Sequence, residues 1–286
     1  MIVVKIIGGL GNQMFQYAFA KALEQKGNKV KIDVSGFKNY KLHGGYQLDS
    51  FSIDLEKTNK TENLKFKIKH LFFKIFTKIG YNYSKKINEK SLLFDKSLFE
   101  IENRSYVEGY FQCEKYFKSI RKLLLNQFID KSNYSDYLNK IKSTIISSKN
   151  TTSLHIRRGD FVNDTNMKIH GICDLLYYEK AVDKLENIIG PATYFIFSDD
   201  INWCKKNLKL ANVHFIENNG KGTPHQDMHL MSLCNHNIIA NSSFSWWGAW
   251  LNKNQNKIVI APKKWFADEK LQKQSKSIVC DNWIKV

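Results

Sequence analysis

With 286 residues, 43% of them hydrophobic and 13% aromatic, the chain is long enough to bury one large core or two ordinary ones and too apolar to be disordered. A formal net charge of +17 and a pI near 9.5 favour polyanionic company: nucleic acid, a phospholipid surface or a phosphorylated small molecule. No stretch approaches the roughly 20 apolar residues that span a bilayer, no secretory leader is expected, and five widely spaced cysteines predict a reduced, cytoplasmic protein without a zinc site.

The first unit reads as strand, glycine-rich turn and helix: residues 2 to 7, then Gly8-Gly9-Leu10-Gly11-Asn12-Gln13, then an apolar helix from about Met14 to Lys26. A second strand over Lys29 to Val34 follows, and such βαβ openings belong to parallel, doubly wound sheets. Glycines at a strand end let the backbone approach a ligand and present bare amides, which makes Gly9, Gly11, Asn12 and Gln13 candidate binding residues. A dinucleotide fingerprint wants a third glycine where Met14 stands, yet Asp33 fits its acidic position, so a nicotinamide-dependent oxidoreductase stays open.

Over residues 64 to 80, Leu64, Ile68, Leu71, Phe72, Ile75, Phe76 and Ile79 fall on one helical face, with Lys65, Lys69, Lys74 and Lys78 mostly off it. Two outcomes fit: a helix packed on the first domain, or a basic amphipathic helix in peripheral contact with an anionic membrane, where each nearby Lys adds roughly 1 kcal/mol. A polar stretch near residues 140 to 150, rich in Lys and Ser, then sets the expected domain boundary, giving domains 1–147 and 148–286.

The second half alternates strand 152–156, helix 175–189, strand 193–197, helix 201–208, strand 213–216, helix 226–235, strand 237–240, helix 244–251 and strand 257–261. That pattern predicts a second Rossmann-like domain, and Pro191, Pro224 and Pro262 all fall at element edges.

Ligands of an open α/β sheet sit outside the carboxyl ends of its strands, so the residues just after each strand carry the functional information. His155-Ile156 runs into Arg157-Arg158-Gly159-Asp160. Two adjacent guanidiniums repel each other and require an anion or a carboxylate; the planar fork of Arg suits a diphosphate, with Asp160 fixing the second Arg. The bland alternative pairs Asp160 with one Arg and leaves the other solvated.

Phe197 leads into Ser198-Asp199-Asp200, where one carboxylate can cap the next helix and the other can accept the N–H fork of a guanine or hold a metal. Ile238-Ile239-Ala240 leads into Asn241-Ser242-Ser243-Phe244, small polar residues at a helix start that favours an anion, although Ser and Asn are also ordinary caps. Trp246, Trp247 and Trp250 fit either core or sugar contact.

The set Gly8-Gly9-Leu10-Gly11-Asn12-Gln13-Met14-Phe15-Gln16-Tyr17, His155-Ile156-Arg157-Arg158-Gly159-Asp160-Phe161, Phe197-Ser198-Asp199-Asp200 and Asn241-Ser242-Ser243-Phe244-Ser245-Trp246-Trp247-Gly248 resembles glycosyltransferase family 11, the α-1,2-fucosyltransferases, in a bacterial form. The motifs run in the family's order from residue 8 to residue 251, and Phe161 stands where relatives often have Tyr.

The resemblance implies an α/β, GT-B-like fold with two Rossmann-like domains facing a central cleft, the first on the acceptor side and the second binding the donor. It implies inverting transfer of L-fucose from GDP-β-L-fucose to the 2-hydroxyl of an acceptor, commonly a terminal β-galactose of a cell-surface glycan or its lipid-linked precursor. No cofactor and no metal are expected, because Arg157 can neutralise the β-phosphate of leaving GDP.

By the same resemblance His155 and Asp200 contact guanine, while Ser242, Ser243 and Phe244 hold the pyrophosphate and nucleoside. Arg158 and Asn241 complete the donor set, and the Gly9 to Gln13 turn closes the cleft. Asp160, Asp164, His170 and Asp174 are candidates for the catalytic base. Asp174 is favoured because Gly171-Ile172-Cys173-Asp174 followed by Tyr177 resembles a recurrent stretch in the family. Nucleic-acid binding is not expected, since the aromatics do not interleave with basic residues as in stacking platforms.

Overall fold

The computed structural model describes residues 1–40, 42–63, 85–159, 164–217 and 223–286. It divides into two compact units, Met1–Ile129 and Asp130–Val286. In the first, β1 (Ile2–Lys5), β2 (Val30–Asp33), β3 (Lys85–Asn88) and β4 (Ser105–Glu108) form a parallel sheet in the order β2-β1-β4-β3.

Helix α1 (Leu10–Gln25) joins β1 to β2 and buries nearly every residue from Leu10 to Leu23, which is why it lacks the polar stripe of a surface helix. Lys21 is the one charged residue on its buried list, and it is paired with Asp54 at 2.7 Å and with Glu24. The short helix α2 (Arg121–Gln127) packs Leu124 into the same unit.

The second unit runs α3 (Asp136–Ser147), β5 (Thr151–Ile156), α4 (Asp164–His170), α5 (Leu175–Ile189), β6 (Thr193–Ser198), α6 (Ile201–Asn207), β7 (Val213–Phe215), α7 (Pro224–Leu233), β8 (His236–Ile238), α8 (Ser243–Leu251), β9 (Val259–Ala261), α9 (Glu269–Gln274) and β10 (Ile284–Lys285). Its sheet is parallel in the order β10-β9-β8-β5-β6-β7. Chain order departs from β5 in both directions, the doubly wound Rossmann arrangement, so the topological switch point lies between β5 and β8. Strand β5 is buried along its whole length, as a central strand must be.

The division falls at Ile129/Asp130 rather than at 147/148. The Lys- and Ser-rich stretch is α3, which buries Leu138, Ile141 and Ile145 in one cluster with Phe195, Phe197, Leu230 and Met231 of the second unit, while Lys140 and Ser143 face solvent. A sequence that looked like a linker is thus the outer face of an amphipathic helix.

The tryptophans of α8 are core. Trp246, Trp247 and Trp250 are buried, Trp246 and Trp247 pack edge to face at 5.1 Å, and Trp246 Nε1 donates to the carbonyl of Ile278 at 2.8 Å. Among the described residues no helix is long and apolar enough to cross a membrane. The amphipathic stretch 64–80 lies outside the described residues.

Candidate active site

The register of the central strands gathers the predicted motifs. His155 lies opposite Phe197 and Ile156 opposite Ser198, so the residues following β5 and β6 emerge side by side. Strand β8 pairs with β5 up to Leu154 and Ile238, and the chain then turns through Asn241 and Ser242 into α8.

Arg157 and Arg158 are each tied to the aspartates after β6. Arg157 Nη1 lies 2.9 Å from Asp199 Oδ2, and the backbone N–H of Arg158 donates to Asp199 Oδ1 at 2.8 Å. Arg158 Nε reaches Asp200 Oδ2 at 3.4 Å, and its guanidinium lies over the Trp203 ring, 4.1 Å from the centroid. Pairs this accessible add about 0–1 kcal/mol to stability; their consequence is orientation of two forks at the carboxyl edge.

Gly159 completes that clamp. A Cβ there would stand 2.6 Å from Asp199 Oδ2 and 3.1 Å from its Cγ, so the carboxylate can approach only because the residue is glycine. Asp160 lies outside the described residues. Sequence order made it an expected partner of the arginines; among the described residues the aspartates after β6 pair with them.

Asp200 also caps α6, Oδ1 accepting the N–H of Trp203 at 3.0 Å, so both its oxygens engage the fold. His155 is 5% exposed beneath Phe244, ring centroids 5.6 Å apart, and its Nδ1 has no hydrogen-bond partner. Burial lowers its pKa to about 3; the Asp199 carboxylate opposes this and the Arg157 guanidinium adds to it. The imidazole is therefore neutral at physiological pH.

Ser242 is the N-cap of α8, its Oγ accepting the N–H of Phe244 at 3.3 Å. Ser242, Ser243 and Phe244 are partly exposed at the helix start. This N-terminus beside the switch point presents a helix dipole favourable to an anion. Asn241 has a different position: it is buried, and its Nδ2 donates to the carbonyls of His170 at 3.0 Å, Gly171 at 3.3 Å and Trp265 at 3.1 Å. It fastens three loops together.

Beyond Asn241 lies a cavity of about 270 Å³ lined among others by His170, Cys173, Asp174, Lys263, Lys264 and Phe266. Asp174 is exposed there and caps α5, Oδ1 accepting the N–H of Tyr177 at 2.8 Å. Burial pushes the Cys173 thiol up to about 12, so it is no nucleophile. The lysines were missed by the sequence reading, since nothing before the fold ties the loop after β9 to Asp174.

In the first unit Gly9 is the N-cap of α1, and Gly11 and Gln13 are buried within that helix. Gln13 Nε2 donates to the carbonyls of Gly8 and Gly45, both at 2.8 Å, and its Oε1 accepts the N–H of Gln47 at 2.9 Å, so it welds the turn to the loop after β2. Asn12 Oδ1 accepts from Gln112 Nε2 at 2.7 Å. Asp33, the ribose-reading residue of the dinucleotide alternative, is buried and accepts from Ser35 N at 2.8 Å and Tyr106 OH at 2.7 Å, which removes it from any ligand. Among the described residues no three His, Cys, Asp or Glu side chains could together hold a metal ion.

Residues 1–286 match Glycosyl transferase family 11. The chain is 36% identical to an Escherichia coli alpha-1,2-colitosyltransferase over 100% of this chain and 99% of that protein. It is 34% identical to the Escherichia coli O-antigen biosynthesis glycosyltransferase WbnK over 98% of each. A stretch covering 34% of this chain and 27% of the mouse galactoside 2-alpha-L-fucosyltransferase Sec1 is 34% identical. Among solved structures, NodZ alpha-1,6-fucosyltransferase soaked with GDP-fucose is 13% identical with a TM-score of 0.47, covering 87% of this chain and 91% of that one.

Proposed function

The chain belongs to glycosyltransferase family 11, and we propose that it transfers L-fucose from GDP-β-L-fucose to the 2-hydroxyl of a terminal β-galactose, in a cell-surface glycan or its lipid-linked precursor, forming an α-1,2 linkage with inversion. The observation that carries this reading is the anion site of the second unit: Arg157, oriented by Asp199 at 2.9 Å, on the carboxyl edge that also bears the N-terminus of α8.

In the reaction the acceptor oxygen attacks C1 of fucose as the bond from C1 to the β-phosphate oxygen breaks, and the electron pair leaves with GDP. Arg157 neutralises the charge growing on that phosphate, the service a metal supplies elsewhere, so the reaction needs neither metal nor cofactor; losing one such donor costs about 10²–10³ in rate. The hydroxyl proton passes to a carboxylate, for which Asp174 is our candidate, with Asp160 as the other carboxylate of the catalytic set.

Arg158, Ser242, Ser243 and Phe244 hold the pyrophosphate and nucleoside, and His155 and Asp200 face guanine. Asn241 serves the donor site by holding the loops that line it. The first unit, with Gly9, Gly11, Asn12 and Gln13, takes the acceptor. A cytoplasmic location fits cysteines that are odd in number and widely spaced along the chain.

A second reading has its own observation, the 36% identity to a colitosyltransferase along the full length. Colitose is fucose without the 3-hydroxyl, so the same anion site serves either donor. The test offers GDP-fucose and GDP-colitose with a panel of β-galactosides in excess EDTA and assigns product linkage by NMR. Fucose on O2, with Arg157→Ala slowed at least about 100-fold, is expected. Fucose on another hydroxyl, preference for colitose, arrest by EDTA, or full activity of Arg157→Ala would overturn the linkage, donor, metal-independence and phosphate assignments respectively.

A further inference from the structure

The carboxyl end of the first unit's sheet holds a tightly constrained loop. Its residues Gly109 to Gln112 follow β4, beside β1, where the order β2-β1-β4-β3 has its switch point. Glu89, the residue after β3, accepts the N–H of Tyr110 at 2.7 Å and that of Phe111 at 3.1 and 3.2 Å. Burial raises the pKa of that carboxyl, and the two N–H donors work against the rise. A Cβ on Gly109 would lie 2.5 Å from Glu89 Cβ and 2.7 Å from Phe111 Cζ, so glycine alone permits the approach.

Phe111 itself sits at φ +52°, the left-handed region that a bulky residue enters at a cost on the order of 1–3 kcal/mol. Its ring is fully buried and stacked on Phe19 at 4.1 Å, which holds the strained backbone in place. A semi-buried carboxylate, an obligatory glycine and a strained phenylalanine therefore all fix one residue between them. That residue is Tyr110, 41% exposed.

Gln16 ties the Tyr110 loop to the β1–α1 turn, its Nε2 donating to the carbonyl of Gly109 at 3.0 Å and its Oε1 accepting the N–H of Ile7 at 2.9 Å. Two further rings stand near. His43 lies 6.4 Å from Tyr40, ring to ring, and its Cβ is 3.5 Å from where a Cβ of Gly9 would stand, over the β1–α1 turn.

We propose that Tyr110, with Tyr40 and His43, forms the platform on which the acceptor hexopyranose stacks. This rests on the transferase reading above. The apolar C–H face of a β-galactoside packs on an aromatic face, while the phenols and imidazole offer hydrogen bonds to its hydroxyls. A side chain with few rotors, presented by a loop already fixed, loses little entropy on binding. The acceptor specificity of the enzyme then lies partly in Tyr110.

The experiment compares wild type with Tyr110→Ala and Tyr110→Phe in three measurements: acceptor KM with lactose, GDP affinity by calorimetry, and saturation-transfer NMR of lactose without donor. Tyr110→Ala is expected to raise acceptor KM about tenfold and to abolish the NMR signal, with GDP affinity unchanged; a loss near 1.4 kcal/mol corresponds to that tenfold. Tyr110→Phe should stay within about threefold of wild type. A far-UV circular dichroism spectrum matching wild type reports an intact fold, and if Tyr110→Ala fails that check, Tyr110→Leu takes its place. A KM and an NMR signal in the alanine or leucine variant within twofold of wild type overturn the platform. If wild type transfers no fucose yet gives an NMR signal that needs Tyr110, the transferase reading fails and the platform stands.

Discussion

Acidification from pH 8 to pH 5.5 is expected to destabilise the second unit by about 1.4 kcal/mol through His155 alone. The native imidazole is buried in β5, and its pKa is lowered to about 3 by burial. In the unfolded chain the same group titrates near its ordinary 6.5. Between those two values the unfolded state binds a proton that the native state refuses, so stability rises with pH and falls as pH drops. Integration from pH 8 to pH 5.5 gives RT ln 11, about 1.4 kcal/mol, and the native value lies so far below the window that only the unfolded value sets the result.

Tryptophan fluorescence reads this unit selectively, because Trp203, Trp246, Trp247, Trp250, Trp265 and Trp283 are the chain's 6 tryptophans and all fall in Asp130–Val286. Urea unfolding of wild type and His155→Asn at several pH values isolates the effect. Burial also lowers the pKa values of His225, His229 and His236, which add acid sensitivity in the same direction but cancel in the comparison. The stability advantage of wild type over the variant should shrink by about 1.4 kcal/mol across the window. Parallel pH profiles, within about 0.3 kcal/mol, would refute a buried neutral His155.

Two substitutions test the frame of the site. Gly159→Ala places a methyl 2.6 Å from Asp199 Oδ2 and must turn that carboxylate away from Arg157 and Arg158; transfer should fall at least about tenfold while Tm changes by only a few degrees, and steady-state kinetics showing normal turnover would remove Asp199 from the site. Asn241→Ala strips the partner from the carbonyls of His170, Gly171 and Trp265, a loss of about 2 kcal/mol that calorimetry should register as a Tm drop of about 4–8 °C; a Tm within 1 °C of wild type would deny the clamp.

What could be read before folding follows from the range of the forces involved. Helix α5 was expected over 175–189 and spans Leu175–Ile189, because Asp174 caps its start and Gly190, at φ +75°, ends it. The central strand β5 was expected over 152–156 and spans Thr151–Ile156. Strand β3 was not expected, since Lys85, Lys86 and Asn88 are exposed and carry no alternation to find. Strand β10 has two residues and is visible only once β9 is there to pair with it. The lysines and serines of α3 read as a linker because its buried face holds only Leu138, Ile141 and Ile145.

The same distinction governs the site. Two adjacent guanidiniums announced a need for negative charge, and that need is a local fact. Which carboxylate meets it depends on the sheet. Neighbouring strands run about 4.8 Å apart, and the pairing of His155 with Phe197 makes the residues after β6 the lateral neighbours of Arg157 and Arg158, though some forty positions away along the chain. Asn241 makes the converse case. Its place after a strand and before a helix suggested ligand contact, but the carbonyls that engage it come from the loops at residues 170 and 265, which only the folded unit brings within 3.3 Å. The chemistry of a site is thus written in residue types, and the assignment of partners within it in the register of the sheet.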